Sequence, residues 1–191
     1  MRIPDHFQKV MTLLLMCAIL MALPGCDSPQ KHQSPQEEAL GYYWYEAVFL
    51  DKEEVEKAFV AASDNYPKYE FVPDNFHVTA LYMPEQKHEY LYGAPVTVHI
   101  IGYTYGSVQD TEEKITSDNE GLLVEVSSTD EKMQELLDGI DKTWHITGSY
   151  TGAAVYTNQL DFSDCTPLDI TIEGVFGLAD SDGTVISEPQ N

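Results

Sequence analysis

The chain has 191 residues, a length for one domain or one domain with appendages. Its hydrophobic content of 43%, with 12 Tyr and 7 Phe, supports a packed core and excludes a mainly disordered chain. A formal charge of −22 sets the chain against duplex DNA and long RNA, whose binding depends on Lys and Arg neutralising phosphates.

The first residues are read apart from the fold. Arg2 and Lys9 bracket a polar stretch, and Met11–Leu23 (MTLLLMCAILMAL) is an uncharged apolar run that ends at Leu23-Pro24-Gly25-Cys26. The run is short for a membrane span and has the layout of a secretory signal over residues 1–25. A cysteine just after the cut resembles the lipobox of bacterial lipoproteins. That resemblance implies lipid on Cys26 and an extracytoplasmic protein anchored to a bacterial membrane. Residues 26–40 contain two Ser-Pro-Gln units and no apolar periodicity, so they read as a tether, with His32 given no role. The folded domain is expected over residues 41–191.

Removing residues 1–25 leaves 8 Lys, no Arg and 31 Asp plus Glu, a formal charge of −23. Any phosphate site must then work without an arginine fork. Cys165 is the one cysteine outside the leader and the lipid position, and it reads as a structural thiol.

Within the domain, Tyr43–Leu50 (YWYEAVFL) reads as a strand. Asp51 and Glu54 have a capping-box spacing, and Val55, Ala58, Phe59 and Ala62 form one helical face ending near Ser63. A break at Asn65–Pro67 and a short extended piece at Tyr69–Val72 lead into FHVTA. The order then repeats. Leu122–Val126 reads as a strand, Ser128 and Glu131 give a second capping-box spacing, and Met133, Leu136, Leu137 and Ile140 form the stripe of a helix closed by Asp141. WHITG follows. Pro95–Tyr105 and Leu168–Leu178 are two further strands. A turn at Ser181-Asp182-Gly183 precedes a last one near Thr184–Ile186. This order predicts an α+β domain with a curved, mixed sheet in two lobes.

The two His-x-Thr strands carry the chemistry. On a strand, residues two apart share a face. His77 and Thr79 therefore point one way, with Phe76, Val78, Ala80 and Tyr82 opposite. His145, Thr147 and Ser149 share a face, with Trp144 and Ile146 opposite. Two imidazoles supply a base and an acid, and two hydroxyls can donate to the non-bridging oxygens of a phosphodiester. His99, which shares a face with Thr97, Tyr103 and Tyr105, reads as a surface or structural histidine. His88 reads as solvated, and Lys142 as a surface lysine.

FHVTA and WHITG, with histidines 68 residues apart, resemble the paired H-x-[ST] motifs of the 2H phosphoesterase superfamily, which includes the LigT-like 2′-5′ RNA ligases and cyclic phosphodiesterases. The resemblance covers Tyr43–Ile186. It implies a bilobal, duplicated α+β domain with curved mixed or antiparallel sheets around a central cleft and helices outside. It implies hydrolysis of 2′,3′-cyclic or related small phosphodiesters, with His77 and His145 catalytic and Thr79 and Thr147 on the phosphate. No cofactor and no metal are implied. The expected partners are a small phosphodiester or nucleotide and, through Cys26, a membrane, and the expected state is a monomer. Two other readings compete. One is a tethered module that binds a phosphorylated ligand without turning it over. The other is metal capture, which ranks last because each H-x-T supplies one ligand.

Overall fold

The computed structural model describes residues 44–110, 115–180 and 182–188. The expected leader, Cys26, the expected tether with His32 and the first residues of the expected domain lie outside them. Seven strands run in chain order: β1 (Trp44–Leu50), β2 (His77–Tyr82), β3 (Pro95–Asp110), β4 (Ile115–Ser127), β5 (His145–Tyr150), β6 (Thr166–Asp180) and β7 (Val185–Ile186). Helix α1 (Lys52–Ala62) joins β1 to β2, and helix α2 (Glu131–Asp138) joins β4 to β5. The architecture is α+β and dominated by its sheet.

The strands form one sheet in the order β1-β2-β5-β4-β3-β6-β7. β1 also pairs with β6, from Trp44 opposite Asp180 to Leu50 opposite Gly174, so the sheet curves round until its edge strand meets its own interior. All these pairings are antiparallel, which corrects the mixed sheet expected from the element order and agrees with the antiparallel alternative that the resemblance implied. A strand–helix–strand unit normally returns a parallel strand. Here each helix instead leads into a strand that runs back antiparallel beside the one before it.

Alternation places the core on one face of this sheet. Val48, Val78, Val98, Ile100, Leu122, Ile146 and Phe176 are buried there. Val55, Ala58 and Phe59 of α1 and Met133 and Leu137 of α2 join the same cluster. α1 begins as its spacing predicts, with Asp51 accepting from the Glu54 N–H at 3.1 Å and Glu53 and Glu54 in the first turn. α2 begins two residues later than its spacing predicts. Asp130, not Ser128, accepts from the N–H groups of Lys132 and Met133. Ser128 is engaged elsewhere, donating to the Pro95 carbonyl at 2.6 Å and accepting from the Asp130 N–H. The helix ends at Gly139 rather than Asp141.

The strands are longer than their apolar alternation shows. β3 and β4 pair continuously out to Asp110 and Ile115, through residues such as Ser107, Asp118 and Asn119. Backbone pairing continues there after the apolar pattern has ended. The expected extended piece at Tyr69–Val72 docks on β5 through two 2.9 Å backbone bonds between Phe71 and Tyr150.

Candidate active site

Val78 of β2 pairs with Ile146 of β5, and both point into the core. Their neighbours along each strand therefore point away from it. His77, Thr79, His145 and Thr147 lie on one face, all partly buried. Antiparallel pairing centred on Val78 and Ile146 puts His77 beside Thr147 and Thr79 beside His145. The histidines are diagonal neighbours, a relationship that places side-chain origins about 7–8 Å apart. The structure brings together all four residues singled out from the sequence.

The two histidines are held alike. The His77 Nδ1 lies 3.0 Å from the Asn75 carbonyl, and the His145 Nδ1 lies 3.1 Å from the Thr143 carbonyl. A carbonyl only accepts, so each Nδ1 carries the proton and each neutral ring keeps Nε2 as its basic atom. Burial is the main influence on both rings and lowers both pKa values, His77 to about 4. The carbonyl bonds act the other way. Lys142 lowers both, and the charge of His145 lowers His77.

Aromatic side chains account for that burial. The Tyr45 ring lies 4.7 Å from His77 and the Phe49 ring 6.0 Å, centroid to centroid. Phe162 lies 5.9 Å from His145. Tyr45 and Phe49 belong to a small apolar cluster with Ala47 and Ala179. Phe162 belongs to another, with Val108, Ala153, Tyr156 and Leu160. The polar group lies between these two clusters, on the opposite side of β2 and β5 from the main core. Gly121 permits one of them, since a side chain there would overlap Thr157, whose segment folds over β4 and β5.

The hydroxyls differ. Thr147 Oγ1 donates to the Ala154 carbonyl at 3.5 Å, at the limit of a hydrogen bond. Thr79 uses its backbone carbonyl, which accepts from Lys142 Nζ at 2.8 Å. Lys142 is partly buried, and its amine is also pushed to a lower pKa by burial. The surface role expected of it is incorrect: its ammonium reaches back from the residues before β5 to β2. The sequence signal was its place three residues before His145, but only strand pairing brings it to Thr79.

Two further expectations change. Ser149 does not share the face of His145 and Thr147; it is fully buried. Between the pairings Gly121–Thr147 and Asn119–Tyr150, β5 has one residue more than β4, a bulge that breaks alternation. Ser149 thereby turns inward, accepts from the Tyr69 N–H at 2.7 Å and donates to buried Glu120. Gly148 also faces inward, where a side chain would come within 2.6 Å of the Phe59 ring. His88 is not merely solvated, since its Nδ1 lies 2.8 Å from the carboxylate of fully buried Glu46. Glu46 and Glu120 escaped the sequence reading, although Glu46 interrupts an apolar strand run and Glu120 stands just before one.

His99 lies away from this group, with its Nε2 2.9 Å from Asp169 Oδ1, in keeping with a structural histidine. Cys165 is a free, partly buried thiol. A separate depression of about 390 Å³ is lined by Tyr105, Ser107, Asp161 and Asp164 among others, and has no imidazole. Among the described residues, no three His, Cys, Asp or Glu side chains cluster closely enough to hold a metal ion, and no helix is long and apolar enough to cross a membrane. Comparison with family models, curated proteins and solved structures finds no match to this chain.

Proposed function

We propose that the protein is a phosphodiesterase of the 2H type, acting on 2′,3′-cyclic or related small phosphodiesters by acid–base catalysis without a metal. The observation that supports this most directly is the shared state of His77 and His145. Each Nδ1 is tied to a carbonyl two residues back, each Nε2 is left for chemistry, and His77 senses the charge of His145 across one polar face. One Nε2 takes a proton from water as its oxygen attacks phosphorus. The other, protonated, gives its proton to the leaving oxygen as the P–O bond breaks. Solvent exchange then restores both rings. The threonine hydroxyls donate to the non-bridging oxygens, where charge builds in the transition state.

The strand registers support the duplicated, bilobal reading of the fold. Phe49–His77, Val48–Val78 and Ala47–Thr79 in β1–β2 correspond to Leu123–His145, Leu122–Ile146 and Gly121–Thr147 in β4–β5. A register shift follows immediately in both. The bond from the Leu50 N–H to the Phe76 carbonyl corresponds to the bond from Val124 to Trp144. Buried Glu46 and Glu120 occupy corresponding places. Two copies of one strand–helix–strand unit would give this correspondence.

In this proposal lipid on Cys26 holds the domain at the outer face of a bacterial membrane, a reading that rests on the leader sequence. Labelled fatty acid entering the protein, and failing to enter Cys26→Ser, tests it.

A binding module is the second reading, favoured by one observation. Burial disfavours the protonated imidazoles, so the ligand-free site lacks a ready proton donor near neutral pH. A bound anion must restore it. The test is hydrolysis of 2′,3′-cyclic nucleotides by the purified protein with a chelator present. The proposal expects turnover that falls about 10²–10⁴-fold in His77→Ala and in His145→Ala. Equal rates in wild type and variants overturn it. Tight calorimetric binding with no product supports the module instead.

A further inference from the structure

We propose that Lys142 anchors the anion in this site, its ammonium binding a non-bridging oxygen of a phosphate held over β2 and β5. The inference rests on the phosphodiester reading of the four motif residues and supplies the positive charge which that reading lacks.

The geometry comes first. Lys142 precedes β5, yet its Nζ bonds the Thr79 carbonyl on β2 at 2.8 Å. The ammonium therefore crosses between the two motif strands, at the residue whose hydroxyl shares the polar face. An ammonium has three N–H donors, and the carbonyl accepts one. The others remain for a ligand.

Charge is the second observation. Lys52 and Lys57 pair with Glu56 and Glu53 on the surface of α1. Lys68, Lys87 and Lys132 are exposed or partly exposed and lie over the rings of Tyr105, Trp44 and Tyr90. Lys142 likewise lies near a ring, that of Trp144 at 5.4 Å, but it is partly buried and bonded at the seam of the two motif strands. Among the described residues it has no carboxylate within ion-pair distance, in a chain of 32 Asp plus Glu. A partly desolvated cation whose partners are a carbonyl and a ring is costly, and an incoming anion recovers that cost.

The third observation is reach. The charge of Lys142 is felt by both His77 and His145. A group that influences both rings is placed to touch a phosphate lying between them. Free, it adds to the burial that keeps the rings deprotonated. With its charge neutralised by a phosphate, it lets one ring take up the proton that an acid needs. Lys142 would thus couple ligand binding to the protonation state of the pair.

The test uses the full chain with inorganic phosphate as probe. Imidazole titrations are followed by NMR in wild type, Lys142→Met and Lys142→Arg. Lys142→Met is expected to raise the pKa of both His77 and His145 and to weaken phosphate binding at least tenfold, with Lys142→Arg retaining most of the affinity. A purely structural lysine would alter the melting temperature of Lys142→Met while phosphate affinity and imidazole titrations stayed at wild-type values, and that result overturns the inference. If turnover still depends on His77 and His145 in that case, the phosphodiesterase reading survives alone. Wild-type protein that neither binds phosphate nor turns over a cyclic nucleotide removes both.

Discussion

Val78 and Ile146 face each other across the β2–β5 pairing, and this contact between two buried residues positions four polar ones. Each apolar side chain goes into the core. His77, Thr79, His145 and Thr147 are carried to the opposite face, in alternating order on neighbouring strands. An antiparallel strand pair has a local twofold relationship, so two equal motifs meeting in this register present two equal histidines on one face.

Acid should destabilise the protein through His77. Its pKa falls from 6.5 to about 4 on folding, chiefly through burial. The unfolded chain therefore binds the proton more readily. Stability is full above pH 6.5 and falls as the pH drops towards 4, by up to about 3 kcal/mol from this group. His145 acts in the same direction. Urea unfolding of wild type and His77→Gln at pH 7.5 and pH 4.5 should show a smaller acid loss in the variant. Equal losses count against this account.

Glu120 should tolerate amidation and not removal. Its Oε1 accepts from the N–H groups of Lys68 and Ser149 and from the Ser149 hydroxyl, while its Oε2 accepts from the Tyr103 hydroxyl at 2.9 Å. In Glu120→Gln the carbonyl oxygen can keep the first set, and the amide can donate to the Tyr103 oxygen. The expected cost is about 1 kcal/mol or less. Glu120→Leu leaves several buried donors without an acceptor, at about 2–5 kcal/mol. Thermal unfolding of the pair separates the two effects.

Glu46 should hold the segment between β2 and β3 in place. It accepts from the His88 N–H at 2.6 Å and the Tyr92 hydroxyl at 3.0 Å, and its second oxygen lies 2.8 Å from His88 Nδ1. Removing the carboxylate in Glu46→Ala should speed amide hydrogen exchange from Met83 to Ala94 while β3 and β4 keep their protection. Unchanged exchange in that segment would show that other contacts hold it.

Gly148 should accept a side chain only if Phe59 yields. A methyl at Gly148 would lie 2.6 Å from the Phe59 ring and 2.8 Å from Glu120. Gly148→Ala is expected to cost about 1–3 kcal/mol. In Phe59→Leu the same substitution should cost less, giving a coupling of about 0.5 kcal/mol or more in a double-mutant cycle. Strict additivity would place the strain elsewhere.

The sequence by itself determined the local features: α+β content, two strand–helix–strand units, and a period of two that turns His77 and Thr79, like His145 and Thr147, to one face of their strands. These depend on residues a few positions apart, and alternation or helical spacing is visible in such a window. Tertiary structure alone decided that β2 and β5 are neighbours, that the sheet closes through β1 and β6, and that a bulge turns Ser149 inward. It likewise moved Lys142 from an expected surface position to the Thr79 carbonyl, and gave the buried Glu46 and Glu120 partners 42 and 29 residues away in His88 and Ser149. The physical reason is common to all of these. A buried charge or a bulge is set by the donors and strands that surround it, and here those arrive from distant parts of the chain.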